Sequence, residues 1–235
     1  MVLPIGSSDA KAPTNAAPII TIGLVAVSVL VFLYELSLPP DQLTSVFNAY
    51  ALVPCEYTNQ CALDAGTPNP LWITLLTSMF MHASWDHLLG NMLFLLAFGI
   101  TVERSMSAVR YLAFYLLCGL GASALEIVTA ANSSVPGIGA SGAISGVLAG
   151  YLVLYPKSHI DSLVPIGRLA WTARIPAWLF IGAWFVYQLI NGLETFGDAG
   201  AGVAYSAHVG GFIAGLLLVR FFSDPDRVVR QSSRQ

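Results

Sequence analysis

The sequence predicts an all-α membrane protein, a bundle of six transmembrane helices with a long first outer loop partly inserted in the membrane. Three observations carry this. Of 235 residues, 56% are apolar and only 10% are charged, against roughly 25% charged in a soluble globular domain. The mean hydropathy is +0.71. The apolar residues also gather into six runs of about 18 to 23 residues, the length a helix needs to cross a bilayer. So few charges cannot cover a water-facing surface. They exclude an ordinary soluble enzyme, a disordered segment and a nucleic-acid binder, which would need a basic face.

Residues 1–17 read as a short cytoplasmic segment. The first span, 18–38, contains IITIGLVAVSVLVFLYELSL. Its apolar core is too long for a signal peptide, it holds Glu35, and no small-residue cleavage site follows, so it reads as a retained helix. The loop that follows, 39–83, is rich in Pro, Asn and Thr, but residues 71–81 (LWITLLTSMFM) are apolar. Such a piece is too short to span and is expected to lie in the interface or dip into the membrane. Cys55 and Cys61 in this loop are a candidate disulfide if the loop faces an oxidising compartment. Further spans are expected at 84–103, 109–131, 138–155, 175–193 and 203–222, followed by a cytoplasmic tail at 223–235. Strands through a membrane would instead show short alternating segments. Cys118, in mid-span, reads as a small core residue.

Orientation follows from the cations alone. With alternating spans, Lys11, Arg104, Arg110, Lys157, Arg168, Arg174, Arg220, Arg227, Arg230 and Arg234 all fall on one side, and the loops 39–83, 132–137 and 194–202 carry none. That side is expected to be cytoplasmic and to hold both termini. The acidic residues Asp41, Glu56, Asp64, Glu194 and Asp198 lie on the other. The expected location is a bacterial inner membrane.

Polar groups inside bilayer helices are costly and usually mark function. Three clusters stand out: His82, His87 and Asn91 at the start of the second span, Ser141 in GASG at the start of the fourth, and His208 in SAHVGG in the sixth. These spans all run from outside to inside, so the clusters share one depth beneath the outer face. His87 and Asn91 are four apart and share a helix face. Gly142, Gly146 and Gly150 form a stripe beside Ser141, and Gly211 with Gly215 forms another beyond His208. Such stripes let membrane helices approach closely, which would bring serine and imidazole within hydrogen-bond reach. A serine with a histidine base is the minimal nucleophilic pair for acyl transfer. Asn91, His87 and the outward backbone N–H groups of the fourth span could donate to an oxyanion.

GASG at 139–142, SAHVGGF around His208, and the pattern His82, His87, Asn91, in this order and on these spans, resemble the rhomboid intramembrane serine proteases over nearly the whole chain. The Glu103–Arg104 pair also looks like a family feature with a structural role. The resemblance implies Ser141 as nucleophile and His208 as general base, with His87, Asn91 and the Ser141 backbone N–H forming the oxyanion hole. His82, Gly139, Ala140 and Gly142 would support the site. It implies cleavage of transmembrane segments of membrane-protein substrates, with a small residue before the scissile bond, and no metal or cofactor. The expected partners are those substrates and the lipid bilayer, with no nucleic acid.

Two positions depart from the family pattern. Some members carry an aromatic residue four positions after the nucleophile, stacked on the imidazole, where this chain has Ser145. Tyr205 and Phe212 are the local candidates for orienting His208 instead. The first outer loop also lacks the Trp-Arg pair of many members. Asp86, beside His87, reads as a solvated residue at the helix entrance. The alternative functions are a catalytically inactive relative that binds transmembrane clients, a metal site of His82, His87 and His208, and a transporter. The metal site lacks a completing Cys or carboxylate and the HExxH signature. A transporter would place polar groups at mid-depth or show inverted repeats.

Overall fold

The computed structural model describes residues 2–7, 17–166, 169–194 and 205–232. Lys11, Arg168, Asp198, Arg234 and positions 203 and 204 of the expected last span lie outside them. Strand β1 (Leu3–Ser7) comes first, then α1 (Ile19–Ser37). The loop after α1 holds the short helices α2 (Pro40–Tyr50), α3 (Pro54–Tyr57) and α4 (Ile73–Thr77), and a 3-10 turn at Ser78–Phe80. Next, α5 (Trp85–Phe94), a π turn at Leu95–Gly99 and α6 (Ile100–Arg104) form one continuous rod. Helices α7 (Ala108–Thr129) and α8 (Ser141–Leu154) follow. Strands β2 (His159–Ile166) and β3 (Leu169–Pro176) lead into α9 (Ala177–Glu194), α10 (Tyr205–Phe222) and α11 (Pro225–Ser232).

The chain is a multi-pass membrane protein. Among the described residues, four helices are long and apolar enough to cross a bilayer: Ile19–Ser37, Trp85–Arg104, Ala108–Thr129 and Tyr205–Phe222. Two more apolar helices, Ser141–Leu154 and Ala177–Asn191, are shorter. Large apolar side chains such as Leu30, Leu33, Val109, Val128, Leu217 and Phe221 face outward, as lipid-facing helices require and water-facing ones avoid.

The centre of the bundle is α7, α8 and α10. On α7 the buried residues Tyr111, Phe114, Tyr115, Cys118, Gly119, Ala122 and Ser123 recur every three or four positions, the spacing of one helix face. Residues 142–151 of α8 are all buried. The glycine stripes of α8 and α10 meet backbone to backbone. A Cβ at Gly215 would stand 2.6 Å from Gly146 Cα, and one at Gly211 would collide with the Gly142 carbonyl. One at Gly210 would reach within 2.6 Å of the Gly121 carbonyl oxygen on α7.

Glu103 acts at the end of the bundle away from Ser141. Helix α1 starts after Pro18, which offers no side-chain oxygen to its free N–H groups. Glu103 supplies both of its oxygens instead: Oε1 accepts from Ile20 N–H at 2.9 Å, and Oε2 from Thr21 N–H at 2.8 Å and Thr21 Oγ–H at 2.7 Å. A carboxylate there also opposes the positive end of the helix dipole. At the same end, Arg227 Nη1 donates to the Met106 carbonyl at 2.6 Å.

The expectation of an all-α chain is corrected by a three-stranded antiparallel sheet in the order β1-β2-β3. It lies at the Glu103 end, where Ser7 and Thr101 join through their hydroxyls at 3.2 Å and Arg174 pairs with Asp161 at 3.1 Å. One strand, β1, falls within residues 1–17, read as a short cytoplasmic segment. The other two occupy the connection between α8 and α9. The strand pairing joins residues far apart in sequence, which hydropathy along the chain does not register. Several span boundaries differ by one to three residues as well. The expected span at 175 begins instead at Ala177, because Ile175 and Pro176 complete β3, and the one expected at 138 begins at Ser141.

Candidate active site

Ser141 is the first residue of α8, and the turn before it is held from outside the bundle. Gly139 has φ +120°, a conformation that side chains with a Cβ rarely adopt. A Cβ there would also stand 2.6 Å from His87 Nε2. Its N–H donates to the Ser78 carbonyl at 2.8 Å. Two residues earlier, Gly137 and Leu52 exchange both backbone hydrogen bonds, at 3.0 and 2.7 Å. Cys55 N–H donates to the Ser133 carbonyl at 3.0 Å and Thr58 Oγ–H to the Ala131 carbonyl at 2.6 Å. The long first loop is thus a clamp on the turn that presents Ser141. Cys55 and Cys61 are joined within it, their Cα atoms 5.3 Å apart.

The glycine contacts between α8 and α10 bring Ser141 Oγ to 2.8 Å from His208 Nε2. On its other side, His208 Nδ1 lies 2.8 Å from the side-chain oxygen of Gln188 on α9. Trp184 stands 6.0 Å from the imidazole, centre to centre, and Tyr205 6.3 Å away and edge-on. Phe212 stacks on Phe185, with ring centres 4.1 Å apart. Ser145 points elsewhere as well, donating to the Ser141 carbonyl at 2.6 Å. Gln188 escaped the sequence reading. Its signal was present as an amide in an otherwise apolar run, but nothing in its spacing tied it to a histidine twenty residues on.

Helix α5 brings the remaining polar groups. Ser84 caps it by accepting from His87 N–H at 3.2 Å. Asn91, one turn below His87, is 8% exposed, and its amide nitrogen has no hydrogen-bond partner among the described residues. That nitrogen lies 3.6 Å from the position a Cβ on Gly139 would take, so a buried donor faces the turn before Ser141. His82 precedes the helix and is buried, its ring 5.1 Å from that of His87. Its Nδ1 meets the Phe80 carbonyl at 3.1 Å, and its backbone N–H donates to Glu35 at 3.2 Å. Burial, with His87 nearby, pushes its pKa down to about 4, so it is neutral at ordinary pH. Asp86 is exposed and outside this group. Ala140 and Gly142, flanking Ser141, are buried.

A cavity of about 40 Å³ opens beside Ser141, with Gly139, Gly142, Ser123, Glu126 and Ala207 in its wall. Glu126 is a second residue absent from the sequence reading.

Residues 69–225 match the family model for the Rhomboid domain. Rhomboid protease AarA of Providencia stuartii is 31% identical over 160 residues, which cover 63% of this chain and 54% of that protein. Rhomboid-like protein 11, chloroplastic, of Arabidopsis thaliana is 29% identical over 181 residues, covering 70% and 59%. Rhomboid-type serine protease 2 of Emericella nidulans is 28% identical over 177 residues, covering 70% and 32%. The matched stretch spans less than two thirds of each of these relatives. With the family model matching well over half of its length, the chain belongs to the rhomboid family.

Proposed function

We propose that this chain is an intramembrane serine endopeptidase that cleaves transmembrane segments of membrane-protein substrates. The observation that carries this reading is the 2.8 Å contact between Ser141 Oγ and His208 Nε2. Ser141 Oγ attacks the carbonyl carbon of the scissile bond while its proton passes to His208 Nε2. The negative charge then forming on the carbonyl oxygen is met by the buried Asn91 amide, His87 and the free Ser141 backbone N–H at the start of α8. As the C–N bond breaks, His208 returns the proton to the departing amine. Water, deprotonated by His208 in turn, then releases the acyl group from Ser141.

The fold supports the rest of the reading. Helix α8 has 14 residues and is about 21 Å long, against a hydrocarbon core of about 30 Å. With its far end at one interface, Ser141 sits about 9 Å beneath the other. The described cations Arg104, Arg110, Arg174, Arg220 and Arg227 lie on α6, at the start of α7, on β3, near the end of α10 and on α11, and Lys157 lies in the turn between α8 and β2, all toward the sheet end. That end is therefore the cytoplasmic one, and the site opens toward the outer face, in a bacterial inner membrane. The cavity beside Ser141 is small, with glycine and alanine forming half of its wall, and takes a small side chain next to the scissile bond.

The test is fluorophosphonate labelling of the purified protein, together with cleavage of a model transmembrane substrate. Ser141→Ala should abolish labelling and lower kcat by roughly a million-fold, the scale of losing a serine nucleophile. Equal labelling and cleavage by the variant would overturn the reading.

A further inference from the structure

We propose that Gln188 is the positioning residue of this site, holding the His208 imidazole in the orientation and tautomer that Ser141 needs. The proposal rests on the hydrolase reading above and adds a third member to its serine and histidine. A carboxamide oxygen can only accept a hydrogen bond. Its 2.8 Å contact with Nδ1 therefore places the imidazole hydrogen on Nδ1. Nε2 is left with its lone pair toward Ser141 Oγ, 2.8 Å away, the form required to take the serine proton. The opposite tautomer would set an N–H against the hydroxyl and leave the Gln188 oxygen facing a lone pair.

The burial of the pair gives this bond its weight. Gln188 is 6% exposed and stands in an apolar helix, so its side chain is largely shielded from solvent competition. Among the described residues the ring's aromatic neighbours are loose, Trp184 at 6.0 Å and Tyr205 at 6.3 Å, and Ser145 is bonded to a backbone carbonyl instead. The hydrogen bond from α9 thus does what a stacked aromatic would do from α8. An amide is neutral, so it orients the ring and stabilises its protonated form by a dipole, as an asparagine does beside the histidine of some cysteine proteases.

The experiment compares wild type, Gln188→Leu and Gln188→Glu in detergent or vesicles. Leucine keeps the volume and removes the acceptor, while glutamate restores an acceptor oxygen. The expected result is a roughly 10- to 1,000-fold fall in kcat for Gln188→Leu with KM unchanged, and recovery of most of that loss in Gln188→Glu. Nitrogen NMR of isotope-labelled histidine reads the tautomer separately: His208 is Nδ1–H in the wild type and a mixture in folded Gln188→Leu. An unchanged kcat or an unchanged His208 signal in Gln188→Leu overturns the proposal, as does equal loss in both variants. If the wild type itself fails to label at Ser141, the hydrolase reading falls first. If it labels and Gln188→Leu matches it, only the role of Gln188 falls.

Discussion

Helices α8 and α9 have nearly the same apolar character, yet they sit in opposite surroundings. Every residue of α8 from 142 to 151 is buried, whereas α9 exposes Trp178, Leu179, Val186, Tyr187, Leu189 and Ile190. Gly146 on α8 presses against Cys118 and the Gly211 carbonyl, while Gly182 on α9 has nothing within 4 Å of where a Cβ would be. In lipid, hydrophobicity does not drive helices together, because the tails are as apolar as the side chains; close backbone packing and polar contacts do. Helix α8 uses glycine stripes to hold Ser141 rigidly against α10. Helix α9 offers the buried Gln188 to His208 and turns much of its remaining described surface to lipid.

Substitutions that break this asymmetry should have graded effects. The largest is expected at the α8–α10 seam. Gly211→Leu has no flexible side chain to displace, since its Cβ would meet the Gly142 backbone. The helices must separate, and both cooperative thermal unfolding and labelling of Ser141 should disappear. Normal labelling would show that the seam can widen without moving the site. Smaller is Gly139→Ala, which meets both the positive φ and His87 Nε2. Strain of about 1–3 kcal/mol would fall on the turn presenting Ser141, so kcat should drop at least about tenfold while the protein still unfolds cooperatively; an unchanged kcat would mean the turn relaxes freely. The smallest is Gly182→Ala on α9. With open space around it and a helical backbone, alanine should stabilise by up to about 1 kcal/mol, raising the thermal midpoint slightly and leaving cleavage untouched. A loss of activity there would show that α9 packs more tightly in the bilayer than its exposed face implies.

Much of this was legible in the residues. His82, His87, Asn91, Ser141 and His208 are conspicuous because polar groups are expensive in apolar runs. The glycines at 142, 146 and 150, and at 211 and 215, marked which faces could approach. Gln188 was equally polar, but its meaning depends on a partner chosen by how α9 leans on α10. Glu103 was noted beside Arg104, yet its use as a cap for α1, more than eighty residues earlier, follows only from the two ends lying together. The sheet was missed for the same reason, as were the bonds from Leu52, Cys55 and Ser78 to the loop before α8: each joins residues distant in sequence.

The amino-acid sequence determines the membrane character, the apolar runs and the cast of polar residues, because each depends on composition and short periodicity that the bilayer enforces locally. Packing alone determines which helix is enclosed and which faces lipid, which serine points at which nitrogen, and that a glutamine holds the histidine's far side. Those outcomes depend on contacts a few ångströms wide between segments twenty to a hundred residues apart, and side chains of similar hydropathy can satisfy them in different ways.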